Sequence, residues 1–245
     1  MQTRNVPRID WGYWVAILVA SMCGANSGDY LARVLHLGHA NGLLPLAAVF
    51  LAIISIEHWS KWMTVAWYWL AIIVLRTGAT NLADLATHDF KLNYQIVEAA
   101  LAALMLGFIV FDRARAPASS SNQVPETNGW YWAAMLTAGT LGTVFGDDVA
   151  DNTPLGVGMG SIVLFGVFIA VLLAAWRIGS MTKPWYWLTV IAARTVGTTM
   201  GDFLASRKGA NLGLSVSLLI TSALLAAVVV VWSRTSPAVS APRRA

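Results

Sequence analysis

The chain has 245 residues, 57% of them hydrophobic and only 11% charged, with a formal net charge of +4. A soluble domain carries about 25% charged residues, so an ordinary soluble fold is excluded. A single cysteine, Cys23, excludes a disulfide framework or a Cys-based metal cage, and without a dense basic run the positive surplus does not point to nucleic acid.

The N-terminal MQTRNVPRID leads into the apolar WGYWVAILVA, which has the outline of a signal peptide. No small-residue cleavage site follows, so the segment is expected to remain as the first membrane helix. Apolar segments then predict an all-α integral membrane protein of eight transmembrane helices, over approximately 11–34, 41–56, 62–86, 93–111, 129–150, 157–176, 185–205 and 211–232. Their lengths match what a helix needs to cross a bilayer core. The second segment is short and carries Pro45 near its start, which predicts a tilted or broken span. The Ala/Ser/Pro-rich stretch 112–128 reads as a cytoplasmic linker between an N-terminal half, 11–111, and a C-terminal half, 129–232, and 233–245 reads as a disordered tail.

Basic residues outside the spans set an orientation. Arg4, Arg8, Lys61, Arg113, Arg115, Arg177, Lys183, Arg234, Arg243 and Arg244 fall on one side, against Arg33, Lys91, Arg207 and Lys208 on the other. This predicts both termini in the cytoplasm of a bacterial inner membrane. All 12 Trp fall on that same side, Trp62 among them, and are expected to sit at the headgroup level.

Self-similarity exposes the organisation. Four segments begin with an aromatic pair and end in an acid: GYWVAILVASMCGANSGD, WYWLAIIVLRTGATNLAD, WYWAAMLTAGTLGTVFGD and WYWLTVIAARTVGTTMGD. The step from Trp to Asp is fifteen residues each time, from Trp14 to Asp29, Trp69 to Asp84, Trp132 to Asp147 and Trp187 to Asp202. Successive acids lie 55, 63 and 55 residues apart, as a duplicated half would give. The expected architecture is therefore four parallel two-helix repeats in two pseudo-symmetric halves, with the four acids at one depth.

Within each motif helix, small residues stand one and five positions before the acid: Gly28/Gly24, Ala83/Ala79, Gly146/Gly142 and Gly201/Gly197. Small residues four apart share a face and let a second backbone approach closely. Threonines stand four and seven positions before the acid, as Thr80/Thr77, Thr143/Thr140 and Thr198/Thr195, with Ala25/Met22 in the first repeat. This predicts helices that pack by their small residues and turn a Thr-Thr-Asp stripe inward. Arg76 and Arg194 recur eight positions before the acid, and Glu98 is expected to answer Arg76 from a neighbouring helix. An ionised carboxylate in hydrocarbon must be paired, protonated or hydrated. Asp29, His36, His39, His88 and Asp89 form a loose and weak candidate metal set, and ordinary interfacial polarity is the better explanation of them. No phosphate loop, HExxH, dinucleotide fingerprint or nucleophile elbow occurs, so neither enzymatic activity nor a cofactor is expected.

The WYW openings and the GTVFGD and GTTMGD closings, with GANSGD and GATNLAD as variants, resemble those of bacterial membrane-anchored proteins built of four tandem two-helix repeats with a characteristic tryptophan. The resemblance covers nearly the whole chain and implies the architecture, without naming a solute. The first repeat departs by lacking the Thr pair, and the second by carrying Ala83 in place of the closing Gly.

The leading expectation is a transporter or channel for a small cation or metal ion, with Asp29, Asp84, Asp147 and Asp202 lining a polar interior. One alternative is a non-transporting scaffold or sensor with a satisfied buried Asp/Arg network. Another is an anion or organic-acid carrier that uses the two arginines. The bilayer is the expected partner, no nucleic acid is expected, and homo-oligomerisation stays open.

Overall fold

The computed structural model describes residues 7–60, 65–115, 127–177 and 182–235. Arg4, Lys61, Trp62, Arg243 and Arg244, and most of the 112–128 linker and of the tail, lie outside the described residues, as do the side chains of Arg113 and Arg115.

The described residues form eight α-helices: α1 Trp11–Asp29, α2 His39–Trp59, α3 Ala66–Asp84, α4 Tyr94–Arg115, α5 Gly129–Asn152, α6 Gly156–Arg177, α7 Lys183–Ala205 and α8 Leu214–Thr235. Asp10 caps α1 by accepting from the Tyr13 N–H at 3.1 Å, and Asn128 caps α5 through the Tyr131 N–H at 3.0 Å. Both caps satisfy a helix-end donor just before the aromatic pair. Beyond Asp29 and Asp84 the chain continues into π-helical turns, Tyr30–Val34 and Leu85–Asp89, which α5 and α7 lack. The chain then reverses through left-handed residues, His36 (φ 55°), Lys91 (φ 53°), Gly156 (φ 61°) and Asn211 (φ 55°).

Helices α1, α3, α5 and α7 form an inner ring, each packed against the next, with α7 closing on α1. Each odd helix is wrapped by the even helix that precedes it: α2 on α3, α4 on α5, α6 on α7, and α8 back on α1. The last helix is fastened to the first where Trp232 donates to Asp10 at 2.8 Å, and its indole lies against Gly12. An even helix thus covers the motif helix of the following unit.

Among the described residues, five helices are long and apolar enough to cross a membrane: the four outer ones and α3 with its π turn. The outer helices turn residues such as Leu44 and Leu219, 79% and 70% exposed, away from the bundle. α1, α5 and α7 fall short on hydropathy because glycines and acids, with Ser21 and Asn26 in α1 and threonines in α5 and α7, occupy their inner faces, and neighbouring helices shield those faces. Pro45 lies inside α2 without breaking it, so the expected interruption of that span is absent.

The tryptophans divide in a way composition does not reveal. Trp14, Trp69, Trp132 and Trp187 are buried, as is Trp232, whereas Trp11, Trp59, Trp130 and Trp176 are exposed. Trp67 and Trp185 are half-buried. The expectation that all twelve mark an interface is corrected: the repeated Trp of each motif helix is a core residue.

Candidate functional site

The axis enclosed by α1, α3, α5 and α7 carries polar side chains in successive layers. At one end the hydroxyls of Tyr13, Tyr68, Tyr131 and Tyr186 close a four-membered hydrogen-bonded ring, at 2.8, 2.6, 2.8 and 2.7 Å around the cycle. A hydroxyl supplies one donor and accepts at its lone pairs, so each member can donate to one neighbour and accept from the other. Each Tyr meets its own helix's Trp edge-on, and the Trp of the neighbouring helix at 5.6–5.9 Å. Sequence reasoning followed the Trp of this pair and passed over the Tyr. The signal was present, since Tyr stands sixteen residues before the acid in all four copies.

The arginines come next, both with no exposed surface. Arg194 donates from Nε to the Thr143 hydroxyl at 2.9 Å, from Nη1 to the Ser21 carbonyl at 2.8 Å, and from Nη2 to the Arg76 carbonyl at 3.2 Å. Nη2 also donates to the Thr80 hydroxyl. Arg76 has only a long contact from Nη2 to Met135 Sδ, at 3.7 Å, while its Nε and Nη1 have no partner among the described residues. No ion pair joins Glu98 to Arg76, contrary to expectation. Glu98 sits half-buried on α4 with one oxygen unpartnered.

The two threonine series separate. Thr77, Thr140 and Thr195 satisfy themselves by donating to carbonyls one turn back, at 2.9, 3.1 and 3.0 Å. Thr80 and Thr143 also donate one turn back, to the Arg76 and Gly139 carbonyls at 3.3 and 3.1 Å, but with Thr198 they border a pocket of about 420 Å³ that opens at the end opposite the tyrosines. Asp29, Asp84, Asp147 and Asp202 all line this pocket, with Asp151, Arg33, His88, Arg207 and Lys208 toward its mouth. The inward stripe is therefore one Thr and one Asp on α3, α5 and α7, with Ala25 in place of the Thr on α1, rather than two Thr and an Asp. The deeper threonines lie about 10 Å of helix rise below the acids.

The small residues stand where neighbouring inner helices meet. An added Cβ on Gly24 would come within 2.4 Å of Arg76 Cβ on α3, one on Gly142 within 2.7 Å of Arg194 Cβ on α7, and one on Gly197 within 2.2 Å of Ser21 Cβ on α1. Gly28 faces Thr80, Gly146 faces Thr195 and Thr198, and Gly201 faces Met22 and Ala25. Ala79 packs under Gly139 of α5, and Ala83 is fully buried. Each inner helix thus turns its small face to the next one around the ring.

The acids have unequal company. Asp29 pairs with Arg33 at 3.2 Å across the first π turn. Asp84 meets His39 at 3.5 Å and His88 at 3.4 Å, and His39 also bonds Asp89 at 2.9 Å. Asp147 and Asp202 have no hydrogen-bond or ion-pair partner for their carboxylates among the described residues. The proposed metal set is not assembled: no group of three or more His, Cys, Asp or Glu among the described residues is placed to hold a metal ion. His39 instead bridges Asp84 and Asp89, His88 meets Asp84, and His36 serves as a left-handed turn residue, a conformation His adopts more readily than most.

No curated protein and no solved structure matches the chain. The model of a family described as a Repeat of Unknown Function (DUF347) matches residues 12–62 and 185–237, the first and last pairs of helices, so the chain is similar to a repeat-containing family of paired helices.

Proposed function

We propose that this is an eight-span membrane protein, made of four parallel two-helix repeats, that senses or scaffolds rather than transports. Its four acids form a blind vestibule on one side. Both termini lie on the other side, the cytoplasmic one in the bacterial inner membrane that the resemblance and the Lys/Arg asymmetry suggest. The reading involves no enzymatic chemistry.

One observation carries it: the axis below the vestibule is filled by Arg194, Arg76 and the closed tyrosine ring. A cation leaving the acids would approach two fixed guanidinium groups. At 4 Å and an effective dielectric of about 20, each contact opposes it by about 4 kcal/mol. Beyond them, hydroxyl oxygens within 2.8 Å of one another leave no bore at the ring. The cation-path reading draws on the acid-lined vestibule alone and supplies no continuation. The anion-carrier reading needs both guanidinium groups on a shared cavity, whereas the donors of Arg194 are spent on Ser21, Thr80, Thr143 and the Arg76 carbonyl.

The test is flux through the full-length protein in sealed proteoliposomes. Sodium, potassium, proton and magnesium movement should equal that of protein-free vesicles under an imposed potential of either sign. Cation flux that vanishes in Asp147→Asn or Asp202→Asn, with folding intact, would establish a transport path instead.

A further inference from the structure

Of the four acids, two have partners among the described residues and two do not. Arg33 answers Asp29, and His39 and His88 answer Asp84. On the other side of the vestibule, Asp147 is 8% exposed and its carboxylate has no partner among the described residues. Asp202 is half-buried and equally without one. These two acids stand on contacting helices, one turn beyond Thr143 and Thr198, whose hydroxyls are 3.4 Å apart. Arg207 and Lys208 line the same pocket but form no ion pair with either acid among the described residues; a buried carboxylate with no partner is costly, so this half of the vestibule has room for a further positive group.

Resting on the closed-vestibule reading above, we propose that the Asp147/Asp202 side of the pocket binds the primary ammonium group of a small organic amine. An –NH3+ group carries three donors and no acceptor. It would be met by the carboxylates of Asp147 and Asp202 and by the free lone pair of the Thr198 hydroxyl, whose proton is directed to Thr143. The alternative, a bare metal ion, fits poorly. Calcium takes six to eight oxygens and magnesium a strict octahedron, whereas no group of three ligating side chains converges here. Backbone carbonyls along α5 and α7 are held in helical hydrogen bonds. The volume, about 420 Å³, lies in the range of small-molecule sites, roughly 300–1,000 Å³, rather than of an ion cage. Lone protons would neutralise the pair but leave that volume without an occupant.

The experiment is calorimetric titration of the full-length protein in phosphatidylcholine nanodiscs with propylammonium, tetramethylammonium and magnesium. Propylammonium should bind saturably. Tetramethylammonium, which has the charge but no N–H donor, should bind at least about tenfold more weakly, as loss of charge-assisted hydrogen bonds worth about 1.5–3 kcal/mol implies. Asp147→Asn and Asp202→Asn should each cost about tenfold or more by the same reasoning. Thr198→Val, which removes no charge, should weaken propylammonium but not tetramethylammonium and serves as the readout if either Asn variant misfolds. An aminophospholipid headgroup presents the same ammonium chemistry. Nanodiscs containing phosphatidylethanolamine will block propylammonium if the lipid is the source, and leave its binding unchanged if the amine is soluble. No propylammonium binding, equal binding of the two ammonium ions, or preferential binding of magnesium would each overturn the proposal. Binding accompanied by amine flux would overturn the closed-axis reading while leaving the ammonium site standing. Absence of both would overturn only the site.

Discussion

Arg194 donates from Nη2 to the backbone carbonyl of Arg76, its counterpart 118 residues earlier, at 3.2 Å. Both stand eight residues before an acid, yet their side chains diverge along the axis. Arg194 reaches toward the vestibule, onto Thr80 and Thr143, each four residues short of its acid. Arg76 reaches the other way, to Met135, four residues past the ring tyrosine Tyr131. Two equivalent arginines cannot both fill one axial level, so one turns up and one down. Together they seal the bundle over more length than either could alone.

This division predicts unequal costs of replacement. Arg194→Met would remove the charge-assisted hydrogen bonds to Thr80, Thr143 and the Ser21 carbonyl, and should destabilise the protein by about 3 kcal/mol or more. Arg76→Met removes a buried charge whose Nε and Nη1 have no partner. That change should be neutral or stabilising, as replacing a buried charge by an apolar side chain of similar length often is. Denaturant or thermal unfolding of both variants in the same detergent measures the difference, and equal losses would refute the unequal roles.

The tyrosine ring makes a prediction about topology. A single Tyr→Phe removes two of its four hydrogen bonds, each worth about 1 kcal/mol net. Tyr13→Phe with Tyr131→Phe, across the ring, share no bond and should add. Tyr13→Phe with Tyr68→Phe share one, so the double variant should fall short of the sum by about 1 kcal/mol. A double-mutant cycle on unfolding free energy decides this. Equal coupling for adjacent and diagonal pairs would mean that the closed ring is not the unit.

Much of the inner bundle was legible because it is repetitive. The fifteen-residue step from Trp to Asp is about four helical turns, so one spacing already implied four alike helices with aromatic and acidic ends. What it did not reveal depends on neighbours that no repeat encodes. Thr77 and Thr80 are three residues apart, yet only Thr80 lines the vestibule, where it meets the Arg194 guanidinium contributed by another helix. Trp14 and Trp187 read as interfacial by residue type, but each packs on the tyrosine of an adjacent helix. That even helices wrap the following unit is set by chain reversal at residues such as Lys91 and Asn211, whose left-handed backbone carries no hydropathy signal. The ion pairs of Asp29 and Asp84 likewise arise from π turns that only the first two units possess.

Close approach of the inner helices gives the sharpest contrast between substitutions of the same kind. A Cβ at Gly197 would lie 2.2 Å from Ser21 Cβ and 3.0 Å from the Ser21 carbonyl carbon, so α1 and α7 would have to separate. Ser21 is also where Arg194 Nη1 is anchored, so the displacement would reach the axial seal. Gly197→Ala should therefore cost about 1–3 kcal/mol, the usual penalty for overpacking. Gly78 is also buried within an inner helix, but a Cβ there meets nothing within 4 Å. Gly78→Ala should stabilise by up to about 1 kcal/mol, because Ala loses less backbone entropy than Gly in a helix. Unfolding of the two variants side by side tests both signs. If Gly197→Ala were as benign as Gly78→Ala, the ring would be loose enough to open, and the case for a closed axis would fail with it.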